Sequence, residues 1–335
     1  MSTTALDIGT HTIKAVLTKN GRAQQVIKAI DVPNKLGIIL PQSDQENSQF
    51  MEMIANIIND YKLDASDIRL SLPESMIANK VIEVPVLSDA ELASAIGWQA
   101  EQFIPIPKDD LALEYQVLSR PEKKSADSTM KVLLVGSRKS AIEKLNNVFL
   151  NLGIEATIME TQMFSVIRAL DIQSNDPETL IAQMGASNLD LAVVANGMFE
   201  FIFSSKNGSQ LMTNAIAQSF GLDLKQAEEY KITYGLNPKQ FEGKLNQVLL
   251  PIIDNAVLEM QKAIRYFSQI RPGQTIKRLV LSGGPAEMIG LTQHLSEKLG
   301  LEILLAAPFA KAKGQIPEKK QLSYNVCMGL AMREI

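Results

Sequence analysis

The stretch ALDIGTHTIKAVL, residues 5–17, decides the fold, because LIAQMGASNLDLAVV, residues 180–194, repeats its pattern in the second half of the chain. In both stretches an apolar run leads into a turn that contains a glycine, and a second apolar run follows. An Asn-Gly pair comes next, at 20–21 and at 196–197, and a third apolar run begins after it. The pattern predicts three short strands in succession, twice in the chain.

The spacing within the two copies is the same. Asn20 lies thirteen positions after Asp7, and Asn196 lies thirteen positions after Gln183. Asn-Gly between two apolar runs is a strong hairpin signal, because both residues accept the positive φ angles of a type I′ turn. A three-stranded meander that occurs twice with matched spacing predicts two similar lobes.

Each meander is followed by the signs of a helix and a further strand. Residues 69–73 and 278–282 are short apolar strand patterns, and helical patterns precede them at 50–61 and 248–267. In the second helix the apolar residues fall on one stripe with helical spacing. Helices that alternate with strands predict α/β layering in both lobes.

Two segments interrupt the repeat. Residues 86–152 form an inserted unit, which opens with the capping box of Ser88 and Glu91. Residues 207–247 form a second insertion, which reads as helical throughout. The predicted division is therefore a first lobe of 1–85 and 153–177, the inserted unit of 86–152, a second lobe of 178–206 and 248–335, and a helical insertion of 207–247.

The composition limits the class of protein. With 33 Lys and Arg against 37 Asp and Glu, the net charge is −4, and without a basic stretch we expect no nucleic-acid partner. Cys327 is the only cysteine, which indicates a reducing compartment. No secretion signal opens the chain, and no window holds the ~18 apolar residues of a membrane span. We therefore expect a soluble cytoplasmic protein that reaches a membrane only through a partner.

A cleft lined by both glycine turns is expected between the two lobes. In the first turn, backbone N–H groups of Gly9, Thr10, His11 and Thr12 are placed to cradle phosphates. Asp7 would face a divalent cation through water, and Lys14 would reach in as a point charge. The alternative is that Gly9 serves an ordinary hairpin and Asp7 caps it. The His11 side chain would either donate to a phosphate or cap the turn.

The second half offers two candidates for an adenosine site. Gly283, Gly284 and Pro285 follow a strand, and glycines without Cβ atoms allow a flat base and a ribose to lie against the backbone. A simple strand-to-helix connection would favour glycine as well. Glu228 and Lys231 share one helical face, a spacing that suits contacts to a ribose hydroxyl and a base edge; the alternative is a solvated ion pair.

These residues together resemble the superfamily of actin, heat-shock chaperones and sugar kinases. Within it the resemblance is strongest to the PilM family of type IV pilus assembly proteins, and it covers nearly the whole chain. Residues 7–14 resemble the first phosphate motif, 185–187 (Gly185, Ala186 and Ser187) the second, and 282–284 the adenosine motif. Glu228 and Lys231 match the nucleoside-contacting pair.

The most family-specific stretch is WQAEQFIPIP, residues 98–107, which resembles the extra subdomain of PilM and of the division protein FtsA. The resemblance implies an α/β, actin-like (ribonuclease H-like) two-lobed fold with that subdomain inserted in the first lobe. It also implies binding of ATP or ADP with Mg²⁺, and a cytoplasmic place at the inner face of the membrane.

In that family the partner is the cytoplasmic N-terminal tail of the membrane protein PilN, held between the extra subdomain and the first lobe. The resemblance therefore implies a scaffold of the pilus inner-membrane platform, open to self-association and to contacts with other platform proteins. We expect the partner near Trp98, Phe103, Ile104 and Ile106, unless these apolar residues are simply core.

Gln183 departs from the family pattern, in which an aspartate begins the second phosphate motif. A neutral amide lacks the charge that positions metal and water, so we expect weak ATPase activity at most. Two alternatives stay open. One is a small-molecule kinase of the same superfamily, which would need a carboxylate base, and the other is a membrane-tethered filament protein like FtsA.

Overall fold

The structure is a computed structural model that describes residues 2–19, 24–121 and 128–334. The predicted Asn-Gly turn at 20–21 lies outside these ranges. Three separate sheets are present in the described part, two of them central to a lobe and a third in the inserted unit. The order of strands and helices confirms the predicted α/β class.

The strands at the centre of the two large sheets consist mostly of buried β-branched and aliphatic residues, which pack well on a pleated surface. In chain order the strands are β1 (Ser2–Ile8), β2 (Thr12–Lys19), β3 (Gln25–Pro33), β4 (Ile68–Leu72), β5 (Ile77–Pro85), β6 (Leu111–Ser119), β7 (Thr129–Arg138), β8 (Ala156–Thr161), β9 (Thr179–Met184), β10 (Leu189–Ala195), β11 (Met198–Ser205), β12 (Arg278–Ser282), β13 (Glu302–Leu305) and β14 (Lys313–Gly314).

The helices begin at polar caps in several places, among them Ser43, Ser88, Thr161 and Asp223. They are α1 (Asp44–Asp60), α2 (Asp89–Phe103), α3 (Lys139–Leu150), α4 (Gln162–Leu170), α5 (Gln210–Phe220), α6 (Leu224–Tyr234), α7 (Lys244–Ile270), α8 (Leu291–Leu299) and α9 (Asn325–Ala331). None of the helices in the described ranges is long and apolar enough to cross a bilayer.

The predicted internal repeat is confirmed by the topology of the two large sheets. The first has the order β14-β3-β2-β1-β4-β8, and the second has the order β11-β10-β9-β12-β13. After β14 is set aside, the two orders match strand for strand, with two antiparallel pairs followed by two parallel ones. In the second copy Asn196 and Gly197 have φ angles of 54° and 71°, as the hairpin prediction requires.

The boundaries of the inserted unit differ from the predicted 86 and 152. Strand β5, which was assigned to the first lobe, pairs with β7 in the third sheet, whose order is β5-β7-β6. The inserted unit therefore begins at Ile77. Helix α3 buries Leu145, Val148 and Phe149 in the core of the first lobe, so it belongs to that lobe and not to the insertion. The apolar residues of α3 indicate a packed helix, but they do not indicate which sheet it packs against.

The chain returns to the first lobe near its end, which corrects the assignment of 248–335 to the second lobe. Strand β14 pairs with β3, and α9 packs against β1, β2 and α4. All seven residues of α9 are buried. Because the helix is covered on every side, its sequence carries no polar face that would indicate where it docks.

Two features hold α9 in place. Gly329 lets the helix approach α4 so closely that a Cβ there would overlap the carbonyl oxygen of Ser165. The buried guanidinium of Arg69 donates to the carbonyl oxygens of Leu330 and Ala331, at 3.3 and 3.2 Å, and its partner carboxylate is Asp67, at 3.0 Å. The last helix is thereby bonded to the central sheet of the first lobe.

Candidate functional site

The two glycine turns of the repeat meet at one crevice. The first turn joins β1 to β2, and the second joins β9 to β10. The hydroxyl oxygens of Thr10 and Ser187, one from each turn, lie 2.7 Å apart. Equivalent points of the two lobes therefore face each other, as the repeat predicts.

A cavity of about 380 Å³ opens at this crevice. Its size lies within the range of small-molecule sites in proteins. Every residue predicted for nucleotide contact lines it, from both turns, from α6 and from the Gly-Gly bend that follows β12. The structure thus brings together side chains that are up to 278 positions apart in the sequence, from Asp7 to Pro285.

The first turn is closed by its own backbone. The N–H of Gly9 donates to the carbonyl of Thr12 at 3.0 Å, so this N–H is not available to a ligand, contrary to the prediction. Asn34 supports the turn from outside, since its side-chain amide donates to the Gly9 carbonyl at 2.8 Å and its backbone N–H donates to the carbonyl of His11 at 2.9 Å. Among the residues that the structure describes, none accepts a backbone hydrogen bond from the N–H groups of Thr10 and His11 at the tip, which leaves these two groups for a ligand.

The second turn has the same closure and a different support. The N–H of Gly185 donates to the carbonyl of Asn188 at 2.9 Å. The start of α5 lies directly beneath, where the N–H groups of Ser209 and Gln210 donate to the carbonyls of Gly185 and Ala186, both at 2.9 Å. Gly208 makes this contact possible, because a Cβ there would overlap the backbone of the turn. Sequence reasoning missed this glycine, since nothing local connects it to residue 186.

Asp7 is held in a fixed position at the base of the crevice. Its Oδ1 accepts hydrogen bonds from Ser71 Oγ at 2.6 Å and from Gln162 Nε2 at 2.7 Å. Lys14 stands opposite Asp7 in the strand register, but its ammonium lies 2.5 Å from Thr12 Oγ1 and 3.9 Å from the Asp31 carboxylate. The cation predicted to reach toward phosphate is therefore partly neutralised by Asp31.

Glu228 and Lys231 form a bonded pair at the far side of the cavity. Lys231 Nζ lies 2.6 Å from Glu228 Oε2 and 2.9 Å from Thr213 Oγ1, and Lys231 is only 3% exposed. The solvated ion pair considered as the alternative is wrong. Burial lowers the pKa of the Lys231 ammonium against the opposing effect of Glu228. Burial also opposes ionisation of Glu228, but the charge and hydrogen bond of Lys231 outweigh it, so the pKa of this carboxyl is lowered.

Asp190 is a site residue that sequence reasoning missed. It lies directly opposite Gln183 in the register of β9 and β10, lines the cavity and is 3% exposed. Burial raises the pKa of its carboxyl, a hydrogen bond from Ser204 lowers it and the nearby Asp7 raises it, with a result of about 6. The internal repeat contained the signal, because Gln183 and Asp190 have the same spacing in the second copy as Asp7 and Lys14 have in the first.

The side-chain oxygens of Asp7, Asp190 and Gln183 at this end of the cavity are suited to bind a divalent cation such as Mg²⁺. Gln183 is 9% exposed, and its side-chain oxygen is buried without a hydrogen-bond partner in the part of the chain that the structure describes. Carboxylate and amide oxygens are the protein ligands that Mg²⁺ and Ca²⁺ prefer, usually with water or phosphate completing the shell. Within the described ranges no three acidic, cysteine or histidine side chains gather as a metal site, so phosphate or water would have to supply the remaining ligands.

The residues predicted for partner contact separate into two groups. Trp98 and Phe103 on α2 are 63% and 43% exposed. Ile104 is buried in the core of the inserted unit, and Ile106 packs against that core half-buried. The surface prediction is therefore wrong for Ile104, which follows the helix end and turns inward between α2 and the sheet.

The comparisons with known proteins agree with this geometry. The family model described as "Type IV pilus assembly protein PilM" matches residues 5–335. A solved chain of a "PilM-PilN type IV pilus biogenesis complex" is 21% identical, with a TM-score of 0.85 over 99% of this chain and 98% of that one.

Two further solved structures share the fold at lower similarity. The ethanolamine utilization protein EutJ from Carboxydothermus hydrogenoformans is 13% identical, with a TM-score of 0.58 over 99% of this chain and 89% of its own. MreB 5 of Spiroplasma citri, described as bound to AMPPNP, is 13% identical, with a TM-score of 0.56 over 98% and 94%. The kinase and filament alternatives gain no support from these matches. The chain belongs to the PilM family of type IV pilus assembly proteins, and its fold is the actin-like ATPase fold.

Proposed function

We propose that this chain binds ATP or ADP in the crevice and acts as a scaffold of the type IV pilus platform, where it holds the cytoplasmic N-terminal tail of a PilN-like membrane protein. The observation that carries the proposal is the meeting of the two glycine turns, with Thr10 and Ser187 in contact across the lobes. A polyphosphate placed there would touch both halves of the molecule.

The lining of the cavity supports a definite orientation for the nucleotide. The phosphates would lie at the tips of the two turns, where backbone N–H groups of Thr10 and His11 remain available. The adenosine would lie against Gly283 and Gly284, with Glu228 and Lys231 toward the ribose and the base edge. Mg²⁺, when bound, would neutralise phosphate charge, and Asp7 would hold it through water.

A nucleotide in this place would act as a clamp between the lobes. Each turn belongs to a different sheet, so contacts to both turns are made only when the lobes are close. A ligand that binds one arrangement better shifts the population toward it by its difference in affinity. Nucleotide exchange would in this way change the relative position of the surfaces that partners use.

Hydrolysis of the bound ATP is expected to be slow or absent. Gln183 stands where the first copy of the repeat has the carboxylate of Asp7, and an amide neither carries charge nor accepts a proton. A single-turnover assay on purified protein should give a rate far below the ~1 s⁻¹ at the lower end of typical enzyme turnover. Turnover at or above that rate would contradict this expectation.

The proposal for the partner rests on the family and on an exposed surface. The solved relative with the TM-score of 0.85 is described as a PilM–PilN complex. In this chain Trp98 and Phe103 present apolar surface on the inserted unit, which an extended peptide can cover. The protein would then lie at the inner face of the cytoplasmic membrane, held there by the partner.

A peptide copied from the N-terminal tail of a PilN-like protein encoded nearby tests this proposal. Trp98 is the only tryptophan, so its fluorescence reports on the inserted unit alone, and a bound peptide that covers it should shift the emission to shorter wavelength. With a labelled peptide, Phe103→Ser should weaken binding about tenfold, which corresponds to the ~1.4 kcal/mol of one buried apolar contact.

The matched control is Leu211→Ser, because Leu211 is similarly exposed, at 44%, but lies on α5, which packs against the core of the second lobe. It should leave the affinity for the peptide unchanged. Absence of binding both with and without ATP would contradict the partner assignment, and equal losses in the two variants would contradict the location.

A further inference from the structure

We propose that Asp190 supplies the carboxylate that is absent at Gln183. Together, Asp7 and Asp190 would form the binding site of the divalent cation that accompanies the nucleotide. The inference rests on the proposed nucleotide binding and extends it to a residue outside the recognised turns. It assigns to the second lobe a charged group that its glycine turn does not contain.

The internal repeat locates this group. In the first copy Asp7 on β1 is paired in register with Lys14 on β2. In the second copy the equivalent pair is Gln183 on β9 and Asp190 on β10. Each cross-strand pair thus contains one carboxylate, but in the second lobe it stands on the other strand.

The displacement is small and keeps the carboxylate at the crevice. Residues directly opposite on antiparallel strands point to the same face of the sheet, with Cβ atoms about 4.5–5.5 Å apart. A carboxylate at 190 instead of 183 is therefore displaced by about one strand spacing, without a change of face. Both residues line the cavity, and Asp7 lies close enough to Asp190 to act on it electrostatically.

Within the described ranges no basic side chain pairs with Asp190, and the same holds for the buried carboxylates of Asp7 and Glu74, but of these three only Asp7 and Asp190 line the cavity. Asp67, Glu160 and Glu200 are each bonded to arginine, at 2.5 to 3.0 Å. Asp190 instead accepts one hydrogen bond, from Ser204 Oγ to its Oδ1. A buried charge without a counter-charge is costly, and a cation in the cavity would remove that cost.

The side-chain oxygen of Gln183 is a second, independent indication of a divalent cation at this place. This oxygen, Oε1, is buried and has no hydrogen-bond partner among the described residues, and Gln183 lines the cavity beside Asp190. A buried acceptor without a donor costs about 1–3 kcal/mol, so native structures satisfy it with water or an ion. A hydrated divalent cation between Asp7 and Asp190 would place a water against this oxygen.

The test compares the wild type with Asp190→Asn and with the double variant Gln183→Asp/Asp190→Asn, which moves the carboxylate back to β9. Affinity for a fluorescent ATP analogue is measured in EDTA and in Mg²⁺, and Mn²⁺ bound to the ATP complex is counted by electron paramagnetic resonance. Asparagine keeps the size of the side chain and an acceptor for Ser204, and circular dichroism checks the fold.

Mg²⁺ should tighten ATP binding by about tenfold in the wild type and by less than about threefold in Asp190→Asn, whose affinity in EDTA should be unchanged or higher. The double variant should regain the effect of Mg²⁺, and Mn²⁺ occupancy should follow the same order. An undiminished gain in Asp190→Asn, or no gain in the wild type, would overturn the role of Asp190 while leaving nucleotide binding intact. Failure of the wild type to bind ATP in either buffer would instead overturn the proposed function.

Discussion

Replacing Gly329 with alanine is expected to destabilise the folded protein by about 3 kcal/mol, although the same change in a helix usually stabilises it. An added Cβ at this position in α9 would overlap the carbonyl oxygen of Ser165 in α4, far inside the 3.0 Å below which Cβ atoms do not approach backbone. Neither helix can move away freely, because α9 is buried on all sides and Arg69 bonds its carboxyl end. The free energy of unfolding in urea measures the effect.

Gly97 in α2 provides the matched control. It is exposed, and a Cβ there would have no atom within 4 Å. Gly97→Ala should therefore give the ordinary gain of about 0.5–1 kcal/mol in the free energy of unfolding. If both variants shift the urea midpoint in the same direction, the tight contact between α4 and α9 is not present in solution.

Replacing Gly284 with phenylalanine should abolish nucleotide binding while the protein stays folded. A Cβ on Gly284 would meet only the Ser323 side chain, at 3.9 Å, and both residues line the cavity. A large ring there would occupy the space proposed for the adenosine. The dissociation constant for ATP should rise by about 100-fold or more, equivalent to roughly 2.7 kcal/mol.

Gly284→Ala is the control for this prediction, because a methyl group fits the space and should change the affinity by less than about threefold. Thermal unfolding of both variants without nucleotide should remain within a few degrees of the wild type. Undiminished ATP binding by Gly284→Phe would place the nucleotide elsewhere. Loss of stability in Gly284→Ala would show that this bend is more tightly packed than the structure indicates.

The contrast between Gly283 and Gly284 shows what a single sequence leaves undetermined. Sequence reasoning treated the two glycines alike, as a bend against which a base can lie. In the structure Gly283 has a φ of +90°, and a Cβ there would overlap the carbonyl oxygen of Met184, whereas Gly284 has neither constraint. The first glycine is required by the backbone, and the second only leaves space in the cavity.

Much of the fold was predictable because its signals are local or repeated. Turn residues, apolar periodicity and the equal spacing of the two copies were enough to predict two similar lobes facing one crevice. The docking of α9 and α3 was not predictable. The apolar residues of a helix indicate that it is buried, but they do not indicate which sheet covers it. The start of the inserted unit at Ile77 was missed because the sequence pattern of a strand does not indicate which strand it pairs with.

The site could be predicted where its residues lie in turns, and it was missed where they act across strands. Asp190 lies within an apolar run, and only the register with Gln183 shows that it faces the cavity. Gly208 and Asn34 support the turns from segments distant in sequence. Such contacts depend on tertiary packing, which composition and spacing do not encode residue by residue.

A crystal structure of the protein with a non-hydrolysable ATP analogue tests the central claim most directly. We expect the phosphates between the two glycine turns, in contact with backbone N–H groups of both lobes, and the adenosine against Gly283 and Gly284. An analogue bound by one lobe alone, or absent from the crevice at saturating concentration, would contradict the claim that the two halves of the repeat together hold a nucleotide.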